Sequence, residues 1–220
     1  MTRFLIPLLA AVALTAASAP RPWTAVATPV ASGSYLIGNP KARVKLVEYV
    51  SYTCPHCAHF TQESDATLGA MVRSGSTSVE YRNQVHDGID LAAATLARCS
   101  GAAAFPRVHA AFFRKQEQWL DRAAEWAQAN QARVASWPQL AQLSAIADGA
   151  GLTAIAREAG APAAAISACF ANDAAVKKTI AVSETTSKVQ GTPAFEINGR
   201  LVQNVGWAQL QPQLRAAGAK

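Results

Sequence analysis

Hydrophobic and polar positions alternate in two places early in the chain. From Arg43 to Val50, valine, leucine and tyrosine alternate with other residues, and Ser78 to Asn83 repeats the habit. A period of two marks a strand with one face turned to a core. Ser34 to Ile37 is a shorter candidate, closed by Gly38-Asn39-Pro40. Between the two longer strands the period changes. From Pro55 to about Val72 there is no glycine until Gly69, and Phe60, Leu68 and Met71 fall on one rough helical face. Pro55 suits a first helical turn, where its missing N–H costs nothing. Strand, helix, strand predicts the start of an α/β unit.

From about Asp90 to Lys188 the chain is alanine-rich and carries no convincing strand. Breaks at Gly101, Pro106, Pro138, Gly149-Ala150-Gly151 and Gly160-Ala161-Pro162 predict several helices. Leu140, Leu143 and Ile146-Ala147 recur at helical spacing, as do Val176, Ile180 and Ser183-Glu184, and both sets predict core faces. Trp119, Trp126 and Trp137 lie in the same block, as packing residues or as a face that binds peptide. Strand character returns at Ala194 to Ile197. Asn198-Gly199 then predicts a two-residue turn, with Leu201 to Gln203 pairing back. Trp207 to Leu214 closes the chain as a helix. The outline is β-α-β, a long helical block, then β-β-α, with no internal repeat.

The N-terminus has a different texture. After Arg3, Phe4 to Ala17 is almost wholly apolar and small residues follow, the pattern of a secretory signal peptide. The run is shorter than the roughly 20 residues a membrane span needs. A signal over residues 1–19 is expected, with the cut between 17 and 27. Ala17-Ser18-Ala19 has the right small-residue form, but Pro20 follows it, so cuts after Ala17 or Ala27 stay open. An uncleaved anchor is the alternative. Residues 20–33, rich in Pro, Ala, Ser and Thr, read as a linker.

Composition narrows the function classes. The 220 residues are 50% hydrophobic and 15% charged, which excludes a disordered tail protein. The formal charge of +6 falls to +4 once Arg3 and Arg21 are removed. No basic cluster exceeds Lys177-Lys178 or Arg114-Lys115, so a nucleic-acid partner is not expected.

Four cysteines, Cys54, Cys57, Cys99 and Cys169, are too few to build a disulfide scaffold. One pair is three residues apart. Cys-x-x-Cys between a strand and a helix is a redox signature. Cys54 precedes the helix, where unpaired N–H groups and the positive dipole end favour a thiolate. Cys57 lies one turn inside and is expected to be less accessible. Cys54 is then the attacking and attacked sulfur, and Cys57 resolves the mixed disulfide. His56, when protonated, adds positive charge beside the Cys54 sulfur. A copper or zinc site made by Cys54, Cys57 and His59 is the alternative chemistry, although no second Cys-x-x-Cys or His-x₃₋₅-His accompanies it.

Cys54-Pro55-His56-Cys57, preceded by Val47-Glu48-Tyr49-Val50-Ser51-Tyr52-Thr53, closely resembles the active site of the DsbA family of periplasmic thiol–disulfide oxidoreductases. Gly191-Thr192-Pro193-Ala194-Phe195 resembles the loop of the thioredoxin fold that carries a cis-proline. The resemblance covers roughly residues 34–217. It implies an α/β, thioredoxin-like fold with a helical insertion domain: 34–85 and 190–220 form the thioredoxin-like part, 86–189 the insertion. It makes Pro193 the cis-proline, leaving the Thr192 backbone free to pair with an extended peptide. Glu48 falls where the family has a buried acid that moves protons at the inner cysteine. Its bland reading is a solvated strand residue.

The departures are Thr192, where the best-known DsbA enzymes have valine, and Thr61, where the family can place a second glutamate. Glu63 is nearby but out of step. Some DsbA-like proteins carry a second bridge in the insertion, and Cys99 and Cys169 resemble that pair; two buried free thiols are the alternative. The resemblance implies an exported enzyme that introduces disulfides into secreted or periplasmic proteins. Its partners would be unfolded substrates with cysteine thiols and a membrane oxidase of the DsbB type. It is expected to be monomeric and to need no cofactor. A reductase or isomerase is the alternative, although an isomerase would carry a dimerisation domain before the first strand.

Overall fold

The computed structural model describes residues 22–25, 27–171 and 173–220. The expected signal peptide lies outside the described residues. One mixed six-stranded sheet has the order β1-β2-β4-β3-β5-β6. Its strands are β1 (Ala27–Pro29), β2 (Tyr35–Gly38), β3 (Val44–Val50), β4 (Thr77–Asn83), β5 (Ala194–Ile197) and β6 (Arg200–Val202). Among the described residues only β3 and β4 run parallel, and helix α1 (Pro55–Arg73) makes the crossover that parallel neighbours require.

Alternation explains β3. Val44, Leu46, Glu48 and Val50 point to one face and are buried. In the register, Leu46 lies beside Val79 on one side and Ile197 on the other. Glu48 lies between Tyr81 and Phe195. Helix α1 covers this face with Cys57, Phe60, Ser64, Leu68 and Met71, spaced three and four apart. Phe60 packs on Phe195 and edge-on to Trp207 of the last helix, α9 (Trp207–Ala217).

Between β4 and β5 run α2 (Gly88–Cys99), α3 (Phe105–Arg114), α4 (Gln116–Val134), α5 (Gln139–Gly149), α6 (Leu152–Glu158), α7 (Ala163–Cys169) and α8 (Ala174–Glu184). The buried alanines of α2, Ala92, Ala93, Ala94 and Ala97, let neighbouring helices approach it closely. Cys99 ends α2 and Cys169 ends α7, and a disulfide joins them. The fold is thioredoxin-like, with a helical insertion between its two parts.

Three details differ from the sequence reading. The stretch read as a linker holds a 3₁₀ turn at Trp23–Ala25 and strand β1, which pairs antiparallel with β2. Three edge residues ending in proline leave no period to detect, and pairing alone makes them a strand. Pro106 does not break a helix; it sits in the first turn of α3. Unmarked breaks follow Arg114 and Cys169 instead. Ile180 is exposed at 37% rather than in a core face. Thr179 and Val182 point inward, and the Thr179 hydroxyl lies 3.2 Å from that of Thr95.

The Asn198-Gly199 turn has φ of 50° and 86°, both left-handed, as a tight hairpin turn demands. Trp119 is fully buried and donates its indole N–H to Phe112 O at 2.8 Å, so it packs the insertion, whereas Trp137 is 37% exposed.

The disulfide closes a loop with a sequence separation of 70. Replacing Cys99 and Cys169 together by alanine should lower the unfolding free energy by about 4 kcal/mol. Urea denaturation checks this; an unchanged midpoint would show that the ring adds no stability.

Candidate active site

Strand β3 ends at Val50, and residues 51–54 turn the chain into α1. Cys54 is the N-cap, with extended backbone, and Pro55 takes the first helical position. Cys54 keeps 9% of its surface and Cys57 keeps none. Both are free thiols. The Thr192–Pro193 peptide is cis and faces the pair: Cys54 Sγ lies 3.1 Å from Thr192 O. The Thr192 hydroxyl has no hydrogen-bond partner among the described residues, and its side chain is one of the influences that lower Cys54.

These contacts divide the two thiols. The hydrogen bond from the Cys57 thiol is the largest influence on Cys54. Partial burial opposes it, while Thr192 and the N–H groups of Cys57 and His56 reinforce it. The net effect lowers Cys54 from 9.0 to about 5. Cys57 moves the other way: burial pushes its thiol far up, and the Cys54 sulfur beside it adds to the rise. One helical turn thus separates a sulfur that is anionic at neutral pH from one that holds its proton.

Glu48 lies on the buried side of β3 and is 2% exposed. Burial alone raises its carboxyl from 4.5 to about 8. Its Oε1 has no hydrogen-bond partner among the described residues, and the residue lines a cavity of about 140 Å³. Thr61, Ser64, Asp65, Tyr81 and His109 also line that cavity. Thr61 donates to Cys57 O at 2.9 Å, and Glu63 lies 3.5 Å from His59 at the surface. Among the described residues, no three His, Cys, Asp or Glu side chains gather as a metal site. A second, more open cavity of about 330 Å³ runs beside the cis-proline, lined by His56, His59, Phe60, Thr192, Pro193 and Gln203 among others.

Sequence reasoning missed the residues that hold the loop before Cys54. Asp90 of α2 is fully buried; it accepts from Ser51 Oγ at 2.6 Å, Tyr52 N at 2.8 Å and His86 N at 3.1 Å. Burial raises its carboxyl to about 6 against these bonds. The Tyr52 hydroxyl lies 2.9 Å from Nδ1 of His109, an α3 residue that burial keeps neutral with a pKa of about 3. Gln116, the first residue of α4, donates to Tyr52 O and Cys54 O. In the sequence Asp90 reads as a first-turn acid and His109 as a lone histidine on an apolar stripe. Gln116 carries no signal at all.

Comparison with known proteins agrees with this geometry. The profile of the thioredoxin family matches residues 31–216. The crystal structure of a protein-disulfide isomerase from Novosphingobium aromaticivorans superposes with a TM-score of 0.76 at 36% identity, covering 85% of this chain and 98% of that one. Wolbachia pipientis alpha-DsbA1 shares the fold, with a TM-score of 0.60 at 18% identity over 84% of this chain and 90% of its own. A chain of Rickettsia prowazekii named as a protein-disulfide oxidoreductase is 28% identical over 186 residues, 82% of this chain. The match takes in 60% of that relative, so the chain spans about three-fifths of its length.

Two outcomes follow from the shifts. In the reduced protein, Cys54 should titrate near pH 5 by thiolate absorbance, with alkylation confined to Cys54; a midpoint above 8 would contradict the assigned contacts. Glu48 has a folded pKa near 8 against 4.5 unfolded, so the unfolded chain loses its proton first and Glu48 weakens the fold as pH rises from 4.5 to about 8. Glu48→Gln should therefore stabilise at pH 7 by on the order of 3 kcal/mol, a gain that vanishes below about pH 4.5. Denaturation at both pH values checks it.

Proposed function

The chain belongs to the thioredoxin family, as a DsbA-like member, and on that premise we propose that it is an exported thiol–disulfide oxidoreductase. In this reading it introduces disulfides into secreted or periplasmic proteins. The observation that carries the proposal is the opposed setting of the two thiols at the start of α1. The Cys57 thiol and the N–H groups of Cys57 and His56 favour Cys54 as a thiolate, and burial keeps Cys57 a thiol behind it.

The exchange balances as follows. A substrate thiolate attacks Cys54 Sγ of the oxidised Cys54–Cys57 pair and forms a mixed disulfide, expelling Cys57 as the leaving group. Cys57 leaves as a thiolate in a buried site and takes up a proton; Glu48, neutral below about pH 8, stands in the same buried face to supply it. A second substrate thiolate attacks the substrate sulfur of the mixed disulfide. The product leaves oxidised, and Cys54 leaves as a stabilised thiolate. Stabilising the leaving group and the reduced form makes the disulfide an oxidant. A membrane oxidase of the DsbB type would take the two electrons and restore the pair. The open cavity beside Pro193 gives an extended substrate peptide a place to pair with the Thr192 backbone. Among the described residues, no helix is long and apolar enough to cross a membrane.

A second reading, isomerase or reductase, draws on Thr192. Its side chain is one of the influences that lower Cys54, and the valine of the best-known DsbA enzymes has no hydroxyl to supply it. The Novosphingobium structure named as an isomerase belongs to the same argument.

Equilibration with glutathione separates these. The oxidase reading expects a Cys54–Cys57 potential well above the roughly −270 mV of thioredoxin; a value at or below it favours a reductase. Faster repair of a scrambled disulfide substrate than oxidation of a reduced one would favour an isomerase. Cys54→Ser should abolish turnover and Cys57→Ser should trap mixed disulfides, whereas turnover retained in Cys54→Ser would refute the assigned roles.

A further inference from the structure

The loop that presents Cys54 belongs to the thioredoxin-like part, yet a side chain from the insertion holds it. Gln116 begins α4 and is 6% exposed. Its Nε2 donates to Tyr52 O at 2.8 Å and to Cys54 O at 2.9 Å. A carboxamide has two N–H donors on one nitrogen, and here both are spent on two backbone carbonyls of one loop. Only the amide nitrogen can face two carbonyl oxygens, so chemistry fixes its orientation.

The bond to Cys54 O competes with the first turn of α1. That carbonyl also accepts from Cys57 N at 3.1 Å and Ala58 N at 3.4 Å, both longer than the Gln116 bond. The Cys57 N–H is also one of the groups that stabilise the Cys54 sulfur. A carbonyl oxygen with a short bond from Gln116 has less need of this N–H, which is then freer to face the sulfur. The same bond fixes the Cys54 peptide, from which the His56 and Cys57 N–H groups follow.

We infer that Gln116 is a positioning residue for the thiol chemistry: through the Cys54 carbonyl, the helical insertion sets how firmly the Cys54 sulfur is held as a thiolate. The inference rests on the oxidoreductase reading for its biological meaning. Its geometry stands apart from that reading, because among the described residues Gln116 bonds the Tyr52 and Cys54 carbonyls and neither sulfur, and so acts through the backbone.

The test uses the full reduced chain. Gln116→Leu keeps the volume and removes both donors. Gln116→Asn keeps an amide too short to reach both carbonyls, and remains informative if the leucine variant fails to fold. Trp119→Phe, on the same helix, removes the indole bond to Phe112 O and loosens α4 without touching the loop. Cys54 thiolate absorbance and alkylation rate are followed against pH, and the Cys54–Cys57 equilibrium with glutathione is measured. Gln116→Leu should raise the Cys54 midpoint by about one pH unit and make the disulfide about tenfold less oxidising, with a smaller shift of the same sign in Gln116→Asn. Trp119→Phe should lower stability and leave the midpoint in place. An unshifted midpoint in a folded Gln116 variant overturns the inference, as does an equal shift in Trp119→Phe. Loss of the oxidoreductase reading would show instead as a wild-type protein that neither oxidises, reduces nor isomerises substrate, whatever Gln116 does.

Discussion

Two sulfurs one helical turn apart cannot both be anions when so little of either is exposed. The rest of the architecture follows from the way this conflict is settled. The charge goes to Cys54, at the start of a helix where the N–H groups of His56 and Cys57 act on its sulfur. Cys57 is one turn deeper and keeps no exposed surface. The cis-proline loop closes the site from the other side and brings polar groups to the outer sulfur alone. Glu48 belongs to the same economy of charge, since a buried carboxylate on this face is also costly. Burial keeps it neutral, and a neutral acid next to a buried leaving group has a proton to give.

The insertion is the less expected contributor. Three of its helices each lend one buried polar side chain to the four residues before α1: Asp90 from α2, His109 from α3 and Gln116 from α4. Buried polar groups are costly unless satisfied, and these are satisfied by the loop itself. The dependence runs both ways, because the loop gains a fixed shape and the helices gain partners for groups that could not otherwise be buried. The insertion therefore acts as a mould for the site rather than an appendage to it.

Much of the site was legible in the sequence because its signals are local. Cys54, Cys57 and Pro55 form one tetrapeptide with His56, and Thr192-Pro193 lies in a short segment whose resemblance to the thioredoxin-fold loop marks it just before β5. The strands β3 and β4 were legible for the same reason, since alternation is written into adjacent residues. Asp90, His109 and Gln116 were not. Their roles exist only when three helices and a loop meet, and each is polar at a position where periodicity expects an apolar residue or a surface. β1 escaped for the opposite reason: three residues carry too little pattern, and only the edge of β2 defines it. Ile180 shows the same limit inside a helix, where a threonine took the inward place through a hydroxyl partner.

The disulfide of the insertion also bears on how the sheet is assembled. The central antiparallel pair, β3 with β5, joins residues such as Tyr49 and Glu196 that stand 147 positions apart. A chain must close a loop of that length before the sheet is complete, and distant pairings of this kind slow folding. Once Cys99 and Cys169 are linked, a sequence separation of 70 is bypassed, and the effective loop is about half as long. Halving a flexible loop lowers its closure cost by about 0.6 kcal/mol. The ring is thus a shortcut in the path of the chain: it lies wholly within the helices, yet brings the last strands nearer to the first.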